Sequence, residues 1–329
     1  MYVLGIETSC DETSCGVVRG RHLCSLVTRS SLPAHRQFGG VVPEIATRAH
    51  VRVIDRVCAA AIEDWGGSLN QLSAIAATVR PGLIGSLVVG VNFAKALALA
   101  LRKPFIGVNH LHAHLFAPFI NAPEPPEFPF LGIVVSGGHT DIYRVDDFDR
   151  IQLLGGTVDD ACGEVYDKVA RTFGLGYPGG PVIDRLFDPA EKNAFQFKCG
   201  RSGLEVSFSG IKTALVYAHR EYADRGGLDQ KTVVRLMSSF QESLVSTLVE
   251  VLREAVRRSG LSTVVCGGGV TANRYLRTRL KECASEFKAV LPPMEYTADN
   301  AAGVAGLGFY LYNEKNYVSP LSLEAESRG

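Results

Sequence analysis

The sequence predicts an α/β protein built as two similar lobes, and three observations carry that expectation. The chain has 329 residues, about twice the ~150 residues of an average domain. Its beginning and its middle repeat one pattern. Leu4-Gly5-Ile6-Glu7-Thr8-Ser9 and Leu131-Gly132-Ile133-Val134-Val135-Ser136 are each an apolar strand running into hydroxyls, followed by a polar turn and a return strand, the mark of an internal duplication. Between the copies lies Ala122-Pro123-Glu124-Pro125-Pro126, a segment suited to a domain boundary. One lobe is expected over 1–121 plus 298–329 and the other over 127–297.

Composition narrows the field. Lys+Arg and Asp+Glu are 34 each, for a formal net charge of zero, with 46% hydrophobic and 21% charged residues. That balance excludes a disordered chain or a coiled coil and argues against a highly basic nucleic-acid coat, leaving room for a local basic patch. Glycine, at 34 residues, points to many tight turns or close backbone approaches to a ligand. The opening Met1-Tyr2-Val3-Leu4-Gly5-Ile6-Glu7 has no cationic leader, so no targeting peptide is expected. The apolar stretch Leu83 to Leu101 contains Lys95 and Asn92 and reads as a buried helix rather than a membrane span. Eight cysteines without a C-x-x-C pair read as reduced core residues, against a thiol nucleophile or zinc knot.

In order along the chain, strands are expected at Val3–Glu7, Ser14–Arg19 and His22–Thr28, closely spaced as in a hairpin-built sheet. A helix should run from about Arg48 to Asp64, with Val51, Ile54, Val57, Cys58 and Ile62 on its inner face and Gly66-Gly67 ending it. Ile75–Val79 reads as a buried strand, Ser86–Leu101 as a buried helix and Phe105–Val108 as a short strand. After the boundary, strands follow at Leu131–Ser136, Thr140–Val145 and Ile151–Leu154, and a helix starts in Asp159–Lys168. Lys231–Arg258 is a long amphipathic helix with Val233, Met237, Phe240, Leu244, Leu248 and Leu252 on one stripe. Thr263–Cys266 is a strand entering Gly267-Gly268-Gly269, and the polar tail after Ser319 should fray.

Several constellations could carry chemistry. His110-x-x-x-His114 follows a strand and begins a helix, which puts both imidazoles on one face. Leu111 stands where a zinc protease needs glutamate, so that pattern is not met. Alone, the pair fits a helix surface as well as a metal, and His112 lies on another face. Asp299, at the entry to a helix, is either an N-cap or a third ligand; two His and one carboxylate would suit Fe(II) or Zn. Three turns, Thr8–Thr13, Ser136–Thr140 and Gly267–Asn273, are rich in Gly and hydroxyls and could cradle phosphates. Asp160, Glu164, Asp167 and Lys168 share a helix face, read equally as a solvated helix start or as ribose or substrate ligands. Tyr177-Pro178-Gly179-Gly180-Pro181 beside Asp184 could lay bare backbone against a ring or sugar, or simply connect. The turns, two at equivalent places in the duplication, resemble those of the actin, hexokinase and Hsp70 (ASKHA) class. That resemblance implies an adenine-nucleotide cleft between the lobes.

The segments together resemble the TsaD family of tRNA threonylcarbamoyladenosine transferases, in its bacterial and organellar form. The carriers are Gly5 to Thr13, Gly39 to Glu44, Pro81 to Leu87, His110 with His114, Ser136-Gly137-Gly138-His139-Thr140, Ser207 to Thr213, Gly268 to Arg274 and Asp299-Asn300-Ala301-Ala302, in family order across nearly the whole chain. His112, Arg80, Gly303 and Glu205-Val206 depart from the usual residues without touching an expected ligand. The resemblance implies that His110, His114 and Asp299 hold one divalent metal, Fe(II) in preference to Zn. It implies that Val134, Val135, Ser136, Gly137, Gly138, Asp167, Gly180, Asp184 and Asn273 contact a nucleotide substrate, threonylcarbamoyl-AMP. It further implies acyl transfer to N6 of the adenosine 3′-adjacent to the anticodon in tRNAs reading ANN codons. Asp11 or Glu12 are the candidates for accepting the amine proton. The expected partners are tRNA, a TsaB-like paralogue, a TsaE-like ATPase and an upstream threonylcarbamoyl-AMP synthase, in the cytoplasm with no membrane. Two basic rows could meet tRNA or be solvated helix faces: Arg48, Arg52 and Arg56, and Arg274, Arg277 and Lys281. The rival readings are a metalloprotease, a sugar or acetate kinase, and a non-catalytic ATP-binding scaffold.

Overall fold

The computed structural model describes residues 1–224 and 227–328. Residues 225, 226 and 329 fall within the expected lobes and lie outside the described residues. Two compact units are present: Met1–Glu127 with Asp147–Arg150 and Pro292–Gly329, and Phe128–Asp146 with Ile151–Leu291.

In unit 1, strands β1 (Tyr2–Glu7), β2 (Glu12–Arg19) and β3 (His22–Ser30) form the expected antiparallel meander. A short helix α1 (Leu32–His35) and the longer α2 (Pro43–Trp65) follow. Strand β4 (Leu72–Arg80) then pairs parallel with β1, and after α3 (Ile84–Leu101) strand β5 (Phe105–Asn109) pairs parallel with β4, giving the order β3-β2-β1-β4-β5. Helix α4 (His110–Phe116) leaves the end of β5 directly.

Unit 2 repeats this plan. Strands β6 (Phe130–Val135), β7 (Thr140–Asp147) and β8 (Arg150–Gly156) stand where β1, β2 and β3 do. Helices α5 (Cys162–Thr172) and α6 (Gly179–Leu186), a two-stranded ribbon of β9 (Gly200–Ser202) and β10 (Glu205–Ser207), and helices α7 (Ser209–Asp224) and α8 (Gln230–Ser259) precede β11 (Thr263–Gly267). After α9 (Arg274–Glu282), β12 (Lys288–Val290) completes the order β12-β11-β6-β7-β8. Both β11–β6 and β11–β12 are parallel. The chain ends its helices in unit 1 with α10 (Ala301–Lys315).

The duplication read from the sequence is therefore the architecture itself. Alternate residues of each strand explain how helices cover both faces of the first sheet. Leu4, Ile6, Cys15 and Val17 pack with Ile54, Val57 and Val91 of α2 and α3. On the other face Gly5 and Gly16 lie against α10; a Cβ at Gly5 would sit 2.5 Å from the Ala305 nitrogen. In unit 2 the predicted stripe of α8, Val233, Met237, Phe240, Leu244, Leu248 and Leu252, is buried against Leu131, Ile133 and Ile142 of the sheet.

Several expectations need correction. Helix α2 starts at Pro43, not Arg48, because proline at the first helical turn costs no hydrogen bond. Val51 is 62% exposed, and Ala46, His50 and Ala61 take inner positions instead. Helix α3 is buried on one face only: Leu87, Val91, Ala94 and Ala98 face inward, whereas Ile84, Val88 and Leu99 are exposed. By length and composition it is also the one helix among the described residues apolar enough to cross a membrane. Helix α5 starts at Cys162, so Asp159 and Asp160 precede it. The tail is not frayed. Ser319 is buried, its amide donates to the Phe105 carbonyl and its hydroxyl accepts from Gly107, while the Glu326 amide donates to Val79. Two of these three are backbone pairings along β4 and β5, which side-chain polarity does not reveal. All eight cysteines are free, and Cys15, Cys58, Cys162, Cys266 and Cys283 are buried.

One glycine sets the geometry of unit 2. Gly268, at φ +91°, turns β11 so tightly that an added Cβ would lie 2.4 Å from the Val135 carbonyl oxygen. Gly268→Ala should cost about 3 kcal/mol through left-handed strain and a backbone clash. Neighbouring Gly269 has nothing within 4 Å of such an atom, and Gly269→Ala should be near neutral. Calorimetry of the two variants should show a lowered unfolding transition for the first alone; equal transitions would remove Gly268 from this role.

Candidate functional site

Unit 1 brings together the residues expected to bind metal. Asn109 ends β5 and caps α4, its side-chain oxygen accepting from the Leu111 and His112 amides, which fixes the helix start at His110. The i, i+4 spacing then places both imidazoles on the side of α10. Asp299 Oδ1 lies 3.1 Å from His114 Nε2 and 3.6 Å from His110 Nε2. The three ligand atoms all fall within 4.8 Å of one another. His110 and His114 are buried and Asp299 is half-buried. Asp299 is not the N-cap of α10; that role belongs to Asn300, which accepts from the Ala302 amide. The capping function is thus satisfied by a neighbour, and the Asp299 carboxylate is turned to the histidines.

The fit to a metal rests on one further residue, Glu7. It is 1% exposed at the end of β1. Its Oε2 accepts from Thr78 Oγ1 at 2.6 Å and lies 3.0 Å from His110 Nδ1, while Oε1 accepts from the Ser9 amide. Burial pushes its pKa up, but His110 outweighs this and holds Glu7 below its ordinary value. A carboxylate on Nδ1 fixes the tautomer and leaves Nε2 facing Asp299, the outer-shell arrangement that ligating histidines use. Burial alone would lower the His110 pKa, yet Asp299 and Glu7 push it up to about 9. An ion of charge +2 would take the proton's place between the same groups. Separations near 3 Å also match donors sharing one ion at bond lengths of about 2.0–2.2 Å. The sequence reading missed Glu7, because one acid at a strand end looks like the start of a polar turn. Its signal was position: it continues the alternation of Val3 and Gly5, the face of β1 that lies against α10. Glu7→Gln should weaken metal affinity by about 10- to 100-fold while keeping the shape of the site; competition with a chromophoric chelator measures it, and unchanged affinity would end the outer-shell assignment.

Asp11 ends the turn after β1 and is buried, and Glu12 is the first residue of β2. The turn is braced from both sides. His50 bonds the Cys10 carbonyl at 3.0 Å and Thr13 Oγ1 at 2.7 Å, and Ser31 donates to the Asp11 carbonyl. Burial, helped by the facing Asp299 and Asp11 carboxylates, pushes Glu12 up to about 9. His112 stays outside the cluster; burial and then Arg80 push it down to about 4.

Unit 2 gathers the residues expected at the nucleotide. Val134 and Val135 are the buried end of β6. Ser136 Oγ accepts from the His139 amide, and the Ser136 amide donates to the His139 carbonyl, closing the turn. Gly137 and Gly138 are exposed, and their amides enter no hydrogen bond among the described residues. Asp167 accepts from the Gly179 amide at 2.6 Å, beside Gly180, where nothing lies within 4 Å of an added Cβ. Gln241, fully buried and missed in the sequence, joins the remainder: it donates to Asp184 and accepts from Asn273 Nδ2 and the Tyr166 hydroxyl. The two basic rows are only partly free. Arg48 pairs with Glu44, Arg274 with Asp184, and Arg277 donates to the Thr271 carbonyl.

A duplicated five-stranded sheet with hydroxyl and glycine turns at its strand ends defines a protein of the ASKHA class. Solved structures agree on the fold. HypF of T. kodakarensis aligns with a TM-score of 0.63 at 14% identity, covering 98% of this chain and 49% of HypF. Component A of the Acidaminococcus fermentans (R)-2-hydroxyglutaryl-CoA dehydratase aligns with a TM-score of 0.53 at 15% identity, covering 93% and 97%. Residues 22–306 match the TsaD family, described as tRNA N6-adenosine threonylcarbamoyltransferase. Proteins of that name from Protochlamydia amoebophila (42% identical, 100% of this chain, 98% of the relative) and Dictyoglomus turgidum (44%, 99% and 97%) match end to end. The chain belongs to the tRNA N6-adenosine threonylcarbamoyltransferase family. It is accordingly a transferase that places a threonylcarbamoyl group on N6 of adenosine in tRNA.

Proposed function

We propose that the donor is threonylcarbamoyl-AMP, that the acceptor is the adenosine 3′-adjacent to the anticodon in tRNAs reading ANN codons, and that AMP leaves. The observation that carries this reading is the His110–His114–Asp299 cluster, with Glu7 behind it, in a chain of this family. His110, His114 and Asp299 would hold one divalent ion, Fe(II) in preference to Zn, and such an ion would supply positive charge to a mixed anhydride. Every other role falls to side chains and backbone. The Ser136–Gly138 turn offers amides to the nucleotide, for its phosphate or a developing oxyanion. Val134, Val135, Gly180 and Asn273 border the nucleotide, while Asp167 and Asp184 are the polar groups for its ribose. Of the two candidate bases, burial pushes Glu12 up to about 9, and we assign the proton of the attacking amine to Asp11.

The partners we infer are tRNA, a TsaB-like paralogue, a TsaE-like ATPase and an upstream threonylcarbamoyl-AMP synthase, all in the cytoplasm. The exposed apolar row Ile84, Val88 and Leu99 on α3 is surface that the paralogue would cover. The test is mass analysis of tRNA nucleosides after incubating the chain and these partners with threonine, bicarbonate, ATP and ANN-decoding or other tRNAs. The modified nucleoside should form only in the ANN set and only with the synthase present. Product without the synthase, or in every tRNA alike, would overturn the donor or the acceptor assignment.

A further inference from the structure

Outside the residues given to nucleotide and metal, unit 2 carries a groove of about 460 Å³ between α5 and α7. Its cations are Lys168 and Arg171 from α5 and Lys212 and Arg220 from α7, with Tyr217 beside them. Helical spacing places each set on one face: 168 and 171 are three apart, and 212, 217 and 220 fall within one strip. Lys168 and Lys212 both bind the Asp160 carboxylate, at 2.7 and 2.5 Å, and Lys168 also pairs with Glu164. Arg171 and Arg220 are exposed and enter no ion pair among the described residues. Four cations thus face two carboxylates, and the surplus is two guanidinium groups. The basic rows of α8 and α9 differ in this respect, since Arg253 is held by Glu286, Arg257 and Arg258 by Glu254, and Arg279 by Glu242.

The Tyr217 ring is 64% exposed, an apolar face kept in water next to free guanidiniums. Free guanidiniums match phosphate geometry, and an exposed ring among them stacks on unpaired bases. A protein partner would call for an apolar patch at the centre of the contact, whereas four of the eight residues lining the groove are cations. In the chain, Lys168 directly follows Asp167, the acceptor of the Gly179 amide.

We propose that this groove holds the RNA strand next to the target adenosine, with Arg171 and Arg220 on phosphates and Tyr217 stacked on an unpaired base. The proposal rests on the tRNA-modifying activity of the family and assigns the surface that meets the substrate. Fluorescence anisotropy of the full chain with its partners and labelled tRNA tests it, between about 50 and 200 mM salt. Arg171→Gln with Arg220→Gln should weaken binding by about tenfold or more and lower the slope of log K against log salt by roughly 1.5–2. Tyr217→Ala should weaken binding by about tenfold with the slope unchanged, and Tyr217→Phe should restore it. If wild-type protein neither binds nor modifies tRNA, the family reading fails and the groove assignment with it. If wild type binds and modifies tRNA while the variants match it in affinity and slope, only the groove assignment is overturned. Loss of a protein partner by the arginine variant at full tRNA affinity would mark the groove as a protein contact, and would overturn it too.

Discussion

His110→Ala should leave a folded protein that carries no bound ion and forms at least ~10²-fold less modified nucleoside. The reason lies in how little else could replace the ring. Asp299 Oδ1 approaches the two imidazole Nε2 atoms of the cluster, and one histidine with one carboxylate is too few protein ligands for a retained metal. His110 also neutralises Glu7, which is 1% exposed, so its removal leaves a buried carboxyl that will take up a proton. His114→Ala separates the two effects, since His114 faces Asp299 and its loss leaves the Glu7–His110 contact in place. Both variants should lose metal by elemental analysis, and only His110→Ala should lose stability as well. Full product yield from a metal-free His114→Ala protein would remove the ion from the reaction.

Much of this was readable in the residues, for identifiable reasons. Helix α8 was placed to within a residue because its apolar stripe keeps a 3.6-residue period from Val233 to Leu252. The His pair was readable because i, i+4 spacing after a strand fixes geometry locally. Asp299 stood out only as a charge near a helix start, and no local rule says whether Asp299 or Asn300 caps α10; the structure gives the cap to Asn300. Glu7 and Gln241 escaped because their roles depend on partners 103 and 32 residues away, respectively. The docked tail escaped for a different reason, as the Ser319 and Glu326 amides that tie it to β5 and β4 are groups that nearly every residue possesses. Helix α3 was misread in part because a helix apolar all round gives no sign of which face is covered.

Asp11→Asn should lower the maximal rate of transfer by about 10²- to 10⁴-fold, and Glu12→Gln by far less. The two acids are adjacent, yet their surroundings differ. Glu12 loses its hydration on burial, faces Asp299 and Asp11, and is pushed up to about 9, with Ser30 donating to its Oε1. A carboxyl that keeps its proton at neutral pH can be replaced by an amide at small cost, because the amide also offers a donor. Asp11 is held differently: Ser31 fixes its carbonyl through both amide and hydroxyl, and His50 fixes the preceding Cys10 carbonyl. An amide there keeps the shape and loses the proton acceptor. Metal content and tRNA affinity should therefore match wild type in both variants, so that any loss appears in the rate at saturating substrates. Single-turnover rates at pH 7 separate the cases, and a Glu12→Gln loss equal to or larger than that of Asp11→Asn would assign the proton to Glu12 instead.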